Sequence, residues 1–197
     1  MLNCHQQARF DVQKRGFEVL LKEDGLKTNS TAAWALLRDR ERSGSPSLLF
    51  VATHFKAGYN PEAAEKRRQQ AASLVKIVNG LKSANPDCGS VILCGDFNGE
   101  PGEKFYDLIS SGIDGGIASA YKVANGGREP EYTTYKKRAG SDHRWCIDYI
   151  WFSEGTLRLA EVLKLPTPQE IGHNIMLPSL RFPSDHLSLV ATFEHVT

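Results

Sequence analysis

Apolar and polar positions along the chain separate into a few well-defined runs. Leu48-Leu49-Phe50-Val51-Ala52-Thr53-His54 and Val91-Ile92-Leu93-Cys94-Gly95-Asp96 are stretches of continuous apolar character that end on polar residues. Such short unbroken runs suit strands covered on both faces. Between them, Ala71, Leu74, Val75, Val78 and Leu81 recur at helical spacing, behind Asn60 as a cap and Pro61 at the first helical position. The pattern predicts strand 48–54, helix 61–83 and strand 90–95, a βαβ unit whose two strands run parallel. A second helix is expected after Pro101, with Phe105, Leu108 and Ile109 on its apolar side and Gly112 near its end.

Two further strands are expected at 147–152 and 187–193. The first opens on Asp148, and the second is preceded by Pro183-Ser184-Asp185-His186. Both therefore carry their polar residues at the start, whereas 48–54 and 90–95 carry theirs at the end. If the two pairs run in opposite directions in a mixed sheet, His54, Asp96, Asn98, Asp148, Asp185 and His186 meet at one rim. Upstream, Phe17 to Leu21 and Ala32 to Leu37 are apolar pieces separated by Glu23-Asp24-Gly25 and Thr28-Asn29-Ser30, which read as strand connections. The stretch 31–40 also satisfies helix propensity. Ile113 to Pro130 is rich in turn residues, and Tyr132 to Arg138 is basic.

Composition narrows the class. The 197 residues, 41% of them hydrophobic and without internal repeat, suit one ordinary globular domain over 1–197. Lys and Arg (24) nearly balance Asp and Glu (23), so any anionic partner must be met by a local patch. Cys4, Cys88, Cys94 and Cys146 show no zinc-ligand spacing and read as reduced packing residues. Met1 to Phe10 lacks a signal-peptide pattern, and no apolar run reaches membrane-spanning length. A soluble intracellular protein with no membrane partner is expected, with the cytoplasm as the first expectation for its compartment and nucleus or mitochondrion as the alternatives.

Taken one at a time, the polar residues have plain structural readings. Gly95-Asp96-Phe97-Asn98 is a turn, Asp148 a strand-end cap, His54 a rim histidine, Asp185-His186 a solvated turn, and Lys136-Lys137-Arg138 a charged face. Together they supply what phosphate-ester cleavage requires: ligands for a divalent cation, a group to activate water and donors for a developing oxyanion.

Thr53-His54, Gly95-Asp96-Phe97-Asn98, Ile147-Asp148-Tyr149-Ile150 and Ser184-Asp185-His186, in this order, resemble the endonuclease/exonuclease/phosphatase superfamily. Five blocks resemble its nocturnin and carbon catabolite repressor type deadenylase branch: Leu26 to Asn29, Thr53 to Ala57, Gly95 to Pro101, Tyr132 to Lys136 and Pro183 to Val190. The resemblance extends over roughly 26–195. It implies an α/β, DNase I-like two-sheet sandwich with mixed sheets flanked by helices, and a phosphoesterase dependent on Mg²⁺ or Mn²⁺. A 3′-exoribonuclease acting on poly(A) RNA is the implied activity, with removal of the 2′-phosphate of NADP(H) as the alternative.

Carried over by motif, Asp96 would handle the proton of water or leaving group, and Asn98 would steady the attacked phosphate. His186 would contact that phosphate with Asp148 orienting its ring, His54 would be a phosphate ligand, and Asp185 would bind metal directly or through water. Asn29, Lys56 and Arg138 fall at nucleotide-contacting positions. The family's early Asn and its main metal-binding Glu have no counterpart in residues 1–25, where Glu18 and Glu23 sit in unmatched surroundings. Gly58 also stands where a basic residue is usual in the branch. A domain incomplete or divergent at its N-terminus is therefore expected, and a catalytically silent fragment that binds RNA, nucleotide or a protein partner is the third reading.

Overall fold

The computed structural model describes residues 9–42, 44–138, 141–172 and 176–196, with backbone alone at 137, 138 and 141. β1 (Phe10–Leu21) and β2 (Lys27–Asp39) form an antiparallel hairpin. Its turn uses Gly25 at φ +82°, with Leu26 N–H donating to Asp24 Oδ1 at 2.9 Å. β2 pairs antiparallel with β3 (Ser47–His54), and α1 (Pro61–Ser83) then crosses to β4 (Cys88–Asp96), which is parallel to β3. There follow α2 (Lys104–Gly112), β5 (Ala118–Ser119), α3 (Ala120–Ala124) and the antiparallel ribbon of β6 (Thr134–Arg138) and β7 (Ser141–Trp145). β8 (Asp148–Phe152), β9 (Leu157–Val162), α4 (Pro168–Ile171) and β10 (Ala191–His195) complete the order.

The central sheet has six strands in the order β1-β2-β3-β4-β8-β5, mixed in direction because β8 runs antiparallel to β4. Helix α1 begins where expected: Asn60 Oδ1 accepts from Ala63 N–H at 2.8 Å, and Pro61 occupies the first turn. Its stripe of Ala71, Leu74 and Val78 packs with Phe105 and Ile109 of α2 onto Leu49, Val51, Val91, Leu93, Tyr149 and Trp151. On the opposite face, Leu48, Ile92, Ile150 and Phe152 meet Leu157, Leu159 and Phe193. The unbroken apolar runs of β3 and β4 thus reflect burial on both faces, and the β9–β10 ribbon is the second β-layer.

One open reading closes and one expectation changes. Residues 31–40, open to helix or strand, lie mostly in β2, because both edges of this segment find ladder partners, in β1 and in β3. The expected strand 187–193 begins at Ala191, pairs with β9 alone and does not enter the central sheet. The preceding backbone is held elsewhere: Leu187 N–H donates to Thr133 O at 2.8 Å, and Val190 N–H to the Tyr121 hydroxyl at 3.2 Å. Cys88, Cys94 and Cys146 form no disulfide, and Cys4 lies outside the described residues. Among the described residues, no helix is long and apolar enough to cross a membrane.

Candidate active site

Strand register assembles the site. His54 ends β3 directly beside Asp96 at the end of β4, and Asp96 lies directly beside Asp148 at the start of β8. Opposite strand directions therefore do bring strand ends and strand starts to one rim. His54 Nε2 lies 3.4 Å from Asp96 Oδ2. His186 completes the row from outside the sheet, its Nδ1 at 3.1 Å from both oxygens of Asp148. An isolated bridge between Thr134 and His186, and Tyr135 N–H donating to Asp185 O at 2.8 Å, tie this segment to β6.

Gly95-Asp96-Phe97-Asn98 is both a turn and the centre of the site. Gly95 sits at φ +151° against β3, where a Cβ would lie 2.0 Å from Thr53 O. Only glycine allows that approach one residue before Asp96. Asn98 adopts φ +50°, a left-handed conformation that Asn tolerates, and its N–H donates to Asp96 Oδ1 at 2.8 Å. Its Nδ2 donates to Asp96 Oδ2 and to Phe55 O, both at 3.2 Å. Asn98 thus divides its donors between Asp96 and the Phe55 carbonyl. Phe97 points the other way, fully buried, with ring centroids 4.8 Å from Phe55 and 5.6 Å from Tyr149.

The charges are set by burial and neighbours. Burial first, then the Asp148 charge, pushes the Asp96 carboxyl above the usual carboxylate range. The hydrogen bond to Asp148 lifts His186 above the ordinary imidazole value, against the opposing effect of burial. Because a carboxylate only accepts, Nδ1 of His186 carries the proton and Nε2 is left for a ligand. Asp96, Asp148 and His186 each present a ligand atom within 4.8 Å of the others. Two facing carboxylates plus an imidazole are a donor set that suits a divalent metal ion.

Asp185, expected to hold metal, lies beside this group, with Lys136 Nζ 3.8 Å from its Oδ2. Asn29 and Lys56 line one groove of about 770 Å³ with His54. A second groove, of about 320 Å³, gathers Lys22, Lys27 and Lys66 around the same two residues. Arg138 closes β6, and its side chain lies outside the described residues.

Three supporting residues were not singled out from sequence. Thr133, fully buried, donates through Oγ1 to Asp148 Oδ2 at 2.7 Å and accepts from the N–H groups of Ile147 and Asp148 at 3.0 Å each. Arg67 grips Glu103 through Nε and Nη2 at 2.8 Å each, and its Nη1 donates to the carbonyls of Lys56 at 3.0 Å and Gly58 at 2.7 Å. Gln70 Oε1 accepts from Lys56 N–H at 2.9 Å. The signal for Arg67 and Gln70 was their place on the buried stripe of α1, where a polar residue needs a partner.

The chain matches the Endonuclease/Exonuclease/phosphatase family over residues 10–186. It is 40% identical to nocturnin of Homo sapiens over 173 residues, covering 85% of this chain and 38% of that protein. Against nocturnin of Xenopus laevis the identity is 38% over 180 residues, covering 89% and 44%. The chain thus spans about two fifths of these relatives' length. The solved human nocturnin catalytic domain with bound sulfate superposes with a TM-score of 0.76 at 33% identity, over 96% of this chain and 62% of that one. The 2′,3′-cyclic phosphatase ANGEL2 in complex with adenosine-2′,3′-vanadate shares the fold, with a TM-score of 0.74 at 22% identity over 95% of this chain and 68% of that one.

Proposed function

The chain belongs to the endonuclease/exonuclease/phosphatase family, and from that premise we propose that its rim residues hydrolyse a phosphoester of a nucleotide or nucleic acid with the aid of a divalent cation. The observation that carries the reading is the in-register row His54–Asp96–Asp148, capped by His186 on Asp148. His186, protonated and held through Nδ1, donates from Nε2 to a phosphate oxygen and offsets charge that builds there. Asp96, kept in place by Asn98, takes up or delivers the proton of water or leaving group. His54, exposed at the end of β3, contacts a second phosphate oxygen. A cation held by Asp96 and Asp148, with Asp185 as a donor through water, would neutralise the attacked phosphate.

The finer reading is a 3′-exoribonuclease acting on poly(A), with the chain as one catalytic domain. Asn29, Lys56 and Arg138 would take the nucleotide, and the lysine-lined grooves support an anionic ligand beside Asn29 and Lys56. Removal of the 2′-phosphate of NADP(H) by the same residues is the second reading, favoured by the small volume of the Lys22, Lys27 and Lys66 groove. Incubation with 5′-labelled oligo(A), and separately with NADPH, in Mg²⁺ or Mn²⁺ decides between them. Shortening of oligo(A) from its 3′ end, lost in Asp96→Ala, is expected. Phosphate release from NADPH without shortening selects the second reading. No turnover of either substrate in saturating metal refutes both and leaves a binding-only role.

A further inference from the structure

The groove of about 320 Å³ that gathers Lys22, Lys27 and Lys66 is polar throughout, lined by Lys, Thr, Ser, Asn and Gln alone. Lys22 and Lys27 enter it from the two ends of one turn: Lys22 N–H donates to Leu26 O at 2.8 Å, and Lys27 pairs with Leu21 across the β1–β2 hairpin. Lys66 enters from the second turn of α1, and Lys56 from the loop after β3. Such a lining offers no apolar face to a ring or an alkyl chain, and its donors suit an anion.

The charge in the groove is uncompensated. Over the whole chain 24 basic residues face 23 acidic ones, so an excess here is local. The acids that flank these lysines in sequence are engaged: Arg68 binds Glu23 at 2.5 Å and Glu65 at 2.7 Å, Glu62 accepts from Lys66 at 2.7 Å, and Asp24 accepts from Leu26 N–H within the turn. Among the described residues, Lys22, Lys27 and Lys56 form no ion pair. Converging ammonium groups repel one another unless an anion sits among them, and the ammonium binds phosphate as a point charge. The groove also runs into the site, since Asn29, Ser30 and Lys56 line both it and the larger groove that contains His54. Gln70, 3% exposed, locks the walls together: its Oε1 accepts from Lys56 N–H at 2.9 Å, and its Nε2 donates to Ser30 Oγ at 2.8 Å. Leu21 N–H donates to Ser73 Oγ at 2.9 Å and holds the hairpin on α1. The backbones that carry the lysines are thus fixed relative to the rim.

We propose that this groove is a second phosphate subsite, in which Lys22 and Lys27, with Lys66, hold a phosphate of the substrate other than the one attacked at the rim. The proposal rests on the phosphoesterase reading for where the attacked phosphate lies. It makes the preferred substrate a nucleotide that carries phosphate at two separate positions, and it assigns the grip on the second phosphate to the β1–β2 hairpin.

Equilibrium binding to the full chain tests it, without added divalent cation so that no hydrolysis intervenes. Adenosine 3′,5′-bisphosphate and adenosine 5′-monophosphate are the probes, which differ by one phosphate. The bisphosphate should bind at least about tenfold more tightly, as one charge-assisted hydrogen bond allows. Lys22→Gln/Lys27→Gln should abolish most of that preference, and Lys22→Arg/Lys27→Arg should retain it. Lys104→Gln/Lys164→Gln removes the same charge at exposed positions outside the groove and should also retain it. Competition by oligo(A) and by NADPH, compared between the Lys22→Gln/Lys27→Gln variant and the unaltered chain, distinguishes the next phosphodiester of an RNA from the pyrophosphate of a dinucleotide by which competitor is weakened. Equal affinity of the two probes, no measurable binding of the bisphosphate, a preference that survives Lys22→Gln/Lys27→Gln, or one lost equally in Lys104→Gln/Lys164→Gln would each overturn the subsite. A chain that shows the preference but hydrolyses nothing keeps the subsite and loses the phosphoesterase reading; hydrolysis without the preference loses the subsite alone.

Discussion

His186 Nδ1 faces Asp148 symmetrically, 3.1 Å from each carboxylate oxygen, while Thr133 Oγ1 pins one of those oxygens at 2.7 Å. The carboxylate is thus fixed from behind by a buried hydroxyl and fixes the imidazole in front. The Asp148 hydrogen bond raises His186 above its ordinary value, so the protonated ring persists to higher pH than an isolated imidazole. In Asp148→Asn the charge is gone, and the alkaline limb of the pH–rate profile should move to lower pH with a fall in kcat of about 10²-fold or more. Profiles of kcat for both proteins check this. An unmoved limb would remove His186 from the role of hydrogen-bond donor to the phosphate.

Gly95 explains why the turn carrying Asp96 begins with glycine. Its left-handed φ and the 2.0 Å approach of any Cβ to Thr53 O leave no room for a side chain, because the obstacle is backbone. Gly95→Ala should lower stability by more than about 1 kcal/mol and displace Asp96, with loss of activity. Gly80, within α1 and with nothing within 4 Å of an added Cβ, is the control. Gly80→Ala should stabilise by about 0.5–1 kcal/mol through helix propensity alone. Urea denaturation of the two variants reads the difference.

How much of this was legible follows from the kind of interaction. The helix at 61–83 and the strands of the βαβ unit were readable because cap, proline and apolar period are local signals. His54, Asp96 and Asp148 converged as strand polarity required. Thr133 remained hidden within a quoted motif, since its three hydrogen bonds reach 14 and 15 residues along the chain. The start of β10 was misplaced because alternation in Leu187 to Val190 resembles a strand, while the backbone there is held by Thr133 and Tyr121. Nor does any periodicity report a groove such as that of Lys22, Lys27 and Lys66, built from a hairpin and a helix.

At the far end of the first hairpin, Asp39 is almost fully buried and accepts from Arg9 Nε at 3.2 Å, Arg9 Nη2 at 2.9 Å and Glu41 N–H at 3.0 Å. Arg9 holds its carboxyl below the usual range, against the effect of burial. The folded-state value therefore lies under the unfolded one. The associated stability is fully present above the unfolded value of about 4 and is lost as pH falls through the folded value. Asp39→Asn should flatten the acid limb of Tm against pH below about pH 4. A variant whose Tm falls with acid as steeply as the unaltered chain would show that other carboxylates govern that limb.

Among the described residues, Arg67 is the buried cation that joins the fold to the substrate side of the site. Its side chain is 2% exposed, bound on two nitrogens by Glu103 and on the third by the carbonyls of Lys56 and Gly58. Removing it leaves Glu103 without its charge partner and two carbonyls without their donor. Arg67→Met should therefore lower stability by about 3 kcal/mol, as for other buried pairs broken from one side. Glu103→Gln in the same chain should restore part of that loss, since the uncompensated charge is removed. Arg67→Lys should not rescue, because an ammonium cannot reproduce the planar fork that meets Glu103 and both carbonyls together. The loop from Lys56 to Gly58 carries the proposed nucleotide cation, so Arg67→Met should also raise KM more than it lowers kcat. Urea denaturation across the double-mutant cycle checks the first expectation and steady-state kinetics the second. A stable Arg67→Met protein with unaltered KM would show that the loop holds its conformation without the buried arginine.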